Sequence, residues 1–350
     1  MPPGSTDARD TARSILDVAF GAAAAGTLLA ATRLGVADAL DDEPAHVSDL
    51  AGRTRTDPDA LDRLLRALTQ QGIFEEVEEG WYRHTESSRA LREDAPDSLR
   101  YMVLWLGAEW TWRAWPLLAE AVRRGGPVTE DLFGKGFYAY LKQDTPEEER
   151  NFMRAMTQSS ERSSSAVVEV LDMRGVRRVA DIGGGQGHLL RKLLERHPGA
   201  HGVLLDLETV VPNVDPALRR EPLSQRCDIV AGDFLSEVPG NADLYILKNI
   251  VEGPDESSVA VLRNIAAAAR PGARIAVVST LLDTGADEMR ITVGWDLTLL
   301  LNVGGKKHRA RDLVGIFEKV GLTVLSSRAI PGTLPTLHLF ECVVPVAGRS

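Results

Sequence analysis

The chain has 350 residues, 44% hydrophobic and 26% charged, the profile of a soluble globular protein with core enough for two domains or one large one. Its formal net charge of -10 argues against a nucleic-acid-binding surface, which needs clustered positive charge. Cys227 and Cys342 are the only two cysteines and form no CxxC or Cys/His spacing, and the histidines show no ligand spacing. No disulfide framework or metal site is expected, and a reducing, cytoplasmic setting is.

Residues 1–10, MPPGSTDARD, read as a loose tail. The run ILDVAFGAAAAGTLLAATRLGVADAL carries Asp17, Arg33 and Asp38, and its uninterrupted apolar part is too short to span a membrane. No basic segment and cleavage site frame it as a signal peptide. Its small residues suit a buried packing helix, including one at a dimer core. HVSDLAGRTRTDPDALDRLLRALTQQGIFEEVEEGWYRHT then reads as helix, turn, helix and β-wing. Ser48 is the expected cap of the first helix, and Asp57 or Asp59 of the second. Leu61, Leu64, Leu65 and Leu68 recur at helical spacing, and two short strands flank a Glu-Gly turn. Arg63 and Arg66 lie on the second helix, but Asp57, Asp59, Asp62 and the EEVEEG wing would repel phosphate. The winged helix is therefore expected to pack or dimerise. Residues 97–165 are helical and aromatic-rich, with Trp105, Trp110, Trp112, Trp115, Phe137, Tyr138 and Tyr140 mostly as core and some as pocket wall.

Beyond about residue 175 strands alternate with helices, which implies a mostly parallel sheet covered on both faces. The expected division is a helical domain, 1–165, and an α/β domain, 166–350. VADIGGGQGHLL ends an apolar strand and opens a helix; Gly183, Gly184, Gly185 and Gly187 permit a tight turn and a close ligand. VLLDL follows at a βαβ distance and ends in Asp206, placed to accept from two ribose hydroxyls. The loop fits G-x-G-x-x-G badly and lacks a Walker lysine. Asp181 before the glycines suits a cationic amino-acid moiety, so the two carboxylates suit S-adenosylmethionine (SAM) better than NAD. In AGDF, Asp233 and Phe234 stand where adenine would be read.

Together with LKNIVEGPDE (247–256), RNIAAAARPGARIAVVSTLL and NVGGKKHRARDL, these segments follow one another as in the SAM-dependent O-methyltransferases of small-molecule metabolism, which include plant phenolic and bacterial antibiotic-tailoring enzymes. The chain resembles that family over nearly its whole length. The resemblance implies a Rossmann-like class I methyltransferase domain preceded by a mostly helical winged-helix dimerisation domain. It also implies a homodimer and a small aromatic acceptor. Carried over motif by motif, Gly183, Asp206, Asp233, Phe234 and Lys248 would hold the cofactor.

The catalytic turn departs from the family pattern LKHxLHDWxDE. Glu252 stands where the family has its histidine base, and Asn249 at the earlier histidine. Ser279 and Lys307 stand at the two flanking acidic positions, with His308, as a surface residue or a spare base, next to Lys307. Three outcomes follow. Methyl transfer, to oxygen first and to carbon or nitrogen as alternatives, would proceed by positioning, with Glu252 as base or Lys307 on a phenolate. The scaffold would otherwise support SAM-requiring hydroxylase or pericyclase chemistry, or serve as a non-catalytic subunit. If Glu252 and Lys307 remain neighbours, the lysine weakens the acid as a base, and the pair is structural or anchors a charged substrate group.

Overall fold

The computed structural model describes residues 8–346. Of the expected tail, residues 1–7 lie outside the described residues, and 8–10 already open a helix, Ala8–Ala19. Where the sequence suggested one cut at 165, the chain divides into two compact units: 8–112 with 145–158, and 113–144 with 159–346. Helix Pro146–Val170 therefore contributes its first half to one unit and its second to the other.

The first unit holds the winged helix. Helices Val47–Thr54 and Pro58–Thr69 connect the first and second strands of a three-stranded antiparallel sheet, ordered β1 (Ala45–His46), β3 (Trp81–His84), β2 (Phe74–Glu78). Leu61, Leu65 and Leu68 face its core, and the Asp57 carboxylate caps the second helix by accepting from the Ala60 N–H at 2.9 Å. Ser48 is not the cap of the first helix. The extended residue before it, His46, takes that place and accepts from the Ser48 N–H at 3.3 Å. Tyr82 ties wing to helix by donating to Asp62 at 2.8 Å.

The expected buried packing helix is three helices: Ala8–Ala19 buries no described side chain, Gly21–Leu34 buries Leu29, Ala31 and Thr32, and Val36–Ala39 buries Val36 and Ala37. On the first, Ile15, Leu16 and Val18 stay exposed, as does Phe20 just beyond it, because no described residue covers them. No single helix among the described residues is long and apolar enough to cross a membrane.

The second unit is built on a seven-stranded sheet: β4 (Arg178–Ile182), β5 (His201–Asp206), β6 (Cys227–Ala231), β7 (Leu244–Lys248), β8 (Arg274–Thr280), β9 (Thr323–Ile330) and β10 (Leu337–Val343). The spatial order is β6-β5-β4-β7-β8-β10-β9, and β10 runs antiparallel to both its neighbours while the pairs from β6 to β8 are parallel. Both faces are covered. Ala180, Ile182, Tyr245 and Leu247 face Leu262, Ile265 and Phe317; Val179, Leu244 and Ile246 face Val167, Leu190 and Leu193. That two-sided burial explains why the strands read as continuous apolar runs. The chain leaves β4 toward β5 and β6, then returns to β7 on the other side. The switch lies between β4 and β7, where open α/β sheets bind ligands beyond the strand ends.

Candidate active site

The turn after β4 is shaped by backbone. Gly183 adopts φ +66, and a Cβ there would stand 2.5 Å from Ile250 Cδ1 and 3.3 Å from Phe234 Cε1. Only glycine fits, and the contact brings the loops after β4, β6 and β7 together. Helix His188–Arg196 starts directly behind, with His188 buried at its first turn, 3.4 Å from Asp215. Asp206, at the end of β5, accepts from the Gly185 and Leu207 N–H groups, both at 2.7 Å. Each carboxylate oxygen retains a lone pair for a ligand hydroxyl. Asp233 is exposed and accepts from the Leu235 N–H at 2.8 Å. The side-chain amide of Asn264 holds the next stretch, donating to the Phe234 and Leu235 carbonyls at 2.9 Å each. An acidic acceptor, an aromatic edge and an open backbone at Gly185, where a Cβ would meet nothing within 4 Å, are the donor set a nucleoside sulfonium needs.

Asp181, expected beside a ligand's amino group, is 1% exposed and packed under Gly184, and its Oδ2 has no hydrogen-bond partner among the described residues. Burial pushes its carboxyl up to about 7, against the pull of Lys248. Lys248 ends β7 on the same face of the sheet, since Asp181 pairs with Ile246. Its ammonium donates to Ser160 Oγ at 3.4 Å, and burial pushes it down to about 8 although Asp181 and Glu252 favour the charged form.

The turn after β7 is shaped by buried charge. Asn249 takes a left-handed φ of 58, a conformation asparagine tolerates, and its exposed side chain leaves the chain to bend back while its N–H bonds the Val278 carbonyl at 2.8 Å. Glu252 is 7% exposed. Its Oε1 accepts from Lys307 Nζ at 2.6 Å and from Ser279 Oγ at 2.6 Å. Thus the three residues that the resemblance singles out, distant in sequence, meet on one oxygen. The loop carrying Lys307 is clamped there: the Lys306 N–H bonds the Glu252 carbonyl at 2.9 Å, Asp296 accepts from the Lys307 N–H at 2.6 Å, and a Cβ at Gly305 would stand 2.3 Å from the Glu252 carbonyl oxygen.

His308, expected at the surface or as a spare base, is 3% exposed. Its carbonyl accepts from the Leu282 N–H at 2.9 Å, in a bridge to Leu281. Burial pushes the imidazole down and Lys306 adds to this, while Asp255, Asp312 and Glu252 pull the other way. Its Nε2 is buried with no hydrogen-bond partner among the described residues.

Sequence inspection missed Ser160, Asp296 and Asn264, which act on Lys248, Lys307 and Phe234 from helices; nothing local marks such partners. Tyr138, noted among the aromatics, belongs with the site. Its ring is 62% exposed, yet its phenol is pushed up by burial and by Glu252.

Residues 115–323 match the O-methyltransferase domain and residues 16–94 the O-methyltransferase dimerisation domain. The chain is 34% identical to the O-demethylpuromycin-O-methyltransferase of Streptomyces alboniger, over 92% of this chain and 86% of that one. It superposes on the mitomycin 7-O-methyltransferase MmcR with a TM-score of 0.85 at 31% identity, covering 97% and 99% of the two chains. The calicheamicin-biosynthesis methyltransferase CalO1, solved with S-adenosylhomocysteine bound, matches with a TM-score of 0.84 at 31% identity over 98% and 100%. These relatives favour methyl transfer over the two alternative chemistries.

Proposed function

The chain belongs to the O-methyltransferase family and is a SAM-dependent methyltransferase, and from that premise we propose that it methylates a small aromatic molecule of secondary metabolism by positioning the acceptor, without proton abstraction by the turn after β7. The observation that carries this is the Glu252–Lys307–Ser279 cluster. One Glu252 oxygen already accepts from two donors, so the pair serves to fix the turn and present Lys307.

When bound, SAM supplies a methyl group on a sulfonium sulfur. Asp206 would hold its ribose hydroxyls, Asp233 and Phe234 its adenine, and the backbone at Gly183 and Gly185 its amino-acid end. Asp181 would act from beneath, by holding Lys248 in its charged form. Tyr138 would flank the acceptor, and Asn249 would shape the turn. Oxygen is the favoured methyl acceptor, in keeping with the named relatives. The enzyme is proposed to work as a cytoplasmic homodimer, in which the exposed face of helix Ala8–Ala19 meets a second copy.

The test is incubation with methyl-labelled SAM and a panel of phenolic and polyketide acceptors. Label in the product, with matching S-adenosylhomocysteine, is the expected result. Acceptor consumed without label would overturn methyl transfer.

A further inference from the structure

A cluster of charge lies behind the glycine turn, centred on the buried ring of His188. This residue is 6% exposed and opens helix His188–Arg196 directly after Gly187, which is left-handed at φ +81. Its Nδ1 lies 3.4 Å from Asp215 Oδ2 and 3.7 Å from Glu161 Oε1, and makes no hydrogen bond among the described residues. Its Nε2 lies 3.3 Å from the side-chain oxygen of Gln186. Arg191, one turn along the same helix, pairs with Asp215 at 2.7 Å and with Glu195 at 3.1 Å, and reaches Glu161 at 3.9 Å. One imidazole thus stands between three segments: the glycine turn at Gln186, the stretch after β5 at Asp215, and helix Pro146–Val170 at Glu161.

These segments shape the cofactor side. The Gln186 carbonyl accepts from the Asp215 N–H at 2.9 Å, and a Cβ at Gly187 would stand 2.5 Å from Leu218 Cδ1, just beyond Asp215. Ser160, which holds Lys248, directly precedes Glu161 on its helix. How firmly the ring joins them depends on its protons. A neutral imidazole has one N–H. Placed on Nε2, toward Gln186, it leaves the Nδ1 lone pair facing two carboxylates. Placed on Nδ1, toward Asp215, it leaves the Nε2 lone pair facing an amide oxygen. Only the imidazolium donates on both sides, and its charge lies between two acids. Burial pushes the ring's pKa down and Arg191 adds to this, while Glu161 and Asp215 pull it up. The join is therefore loose when the ring is neutral and tightens on acidification.

We propose that His188 is a positioning residue, a proton-operated clasp that fixes the glycine turn to the stretch after β5 and to helix Pro146–Val170, so that cofactor affinity rises as the ring becomes an imidazolium. The proposal rests on the reading of the glycine turn as the SAM site and adds a residue that acts through that turn. A turn already held in its binding shape costs less to order when the cofactor arrives.

The test is calorimetric binding of S-adenosylhomocysteine, which lacks the sulfonium charge, to the full-length protein at about pH 5 and about pH 8. Asp181, Asp206 and Lys248 also have shifted pKa values near the cofactor, in wild type and variant alike. The quantity read is therefore the ratio of wild-type to His188→Gln affinity at each pH, with circular dichroism as the check on the variant's fold. The ratio is expected to be at least about threefold larger at the acid pH. By linkage the ligand favours the proton in return, so in an NMR titration of the wild type S-adenosylhomocysteine is expected to raise the His188 midpoint by about half a pH unit or more. Glu161→Gln, at a half-exposed carboxylate, is expected to lower that midpoint, and this readout stands even where His188→Gln does not fold. A ratio that is flat or falls toward acid, or a midpoint that the ligand leaves unchanged or lowers, would overturn the clasp and leave the methyltransferase standing. Absence of S-adenosylhomocysteine binding at both pH values would overturn the cofactor reading along with it.

Discussion

The turns after β4 and β7 leave paired parallel strands side by side, yet they are held by different forces. The first is fixed by what is absent: no side chain at Gly183, where Ile250 and Phe234 close in, and backbone N–H groups gathered on Asp206. The second is fixed by what is buried: one carboxylate oxygen shared by an ammonium and a hydroxyl, with Gly305 pressed on the same residue's carbonyl. A backbone-shaped turn is tied to one ligand geometry. A charge-held turn keeps its shape while its chemistry is rewritten, provided the charges change together.

The comparison breaks most readily at the charged turn. Lys307→Met leaves Glu252 buried and unpaired, and is expected to lower stability by about 3–5 kcal/mol in urea denaturation. A loss below about 1 kcal/mol would mean that charge does not hold this turn.

Between the turns sits Asp181, whose carboxyl titrates near 7 in the folded chain and at 3.8 as its ordinary value. The folded state then binds the extra proton between these values, so this group makes stability fall as pH rises from about 4 to 7. Asp181→Asn lacks that slope. It is expected to gain on the order of 3 kcal/mol over the wild type between about pH 4.5 and 7.5, read by urea unfolding at both pH values.

At the glycine turn, Gly183→Ala adds left-handed backbone strain to overpacking against Ile250. A loss of about 2–3 kcal/mol is expected, together with SAM binding too weak to titrate by calorimetry. Undiminished SAM affinity would show that the turn tolerates a side chain and is not shaped around a ligand.

Much of this was legible in the sequence. The strand runs, the glycine turn with Asp206 behind it, and the helix–turn–helix with its wing follow from local pattern. The family resemblance directed attention to residues 252, 279 and 307. What pattern could not supply was side-chain direction. That the Asp181 carboxylate turns inward, under Gly184, is set by the pleat and not by its place before the glycines. His308 looked exposed because its neighbours are basic; the bridge to Leu281 buries it. The first helix looked buried because it is apolar, but its Ile15, Leu16 and Val18 stay exposed among the described residues. Ser160 lies 88 residues from Lys248 and only the fold brings it there, while Asp296 lies 11 residues before Lys307, on the helix that leads into its loop.

The central claim is that Glu252 and Lys307 act as one locked pair. A double-mutant cycle on Glu252→Gln and Lys307→Met, followed by urea denaturation, tests it most directly. The account predicts that the double variant is more stable than the sum of the single losses implies, with a coupling of about 2–3 kcal/mol. Single losses that add to within about 0.5 kcal/mol would contradict it and would return Glu252 to the place of a free carboxylate base.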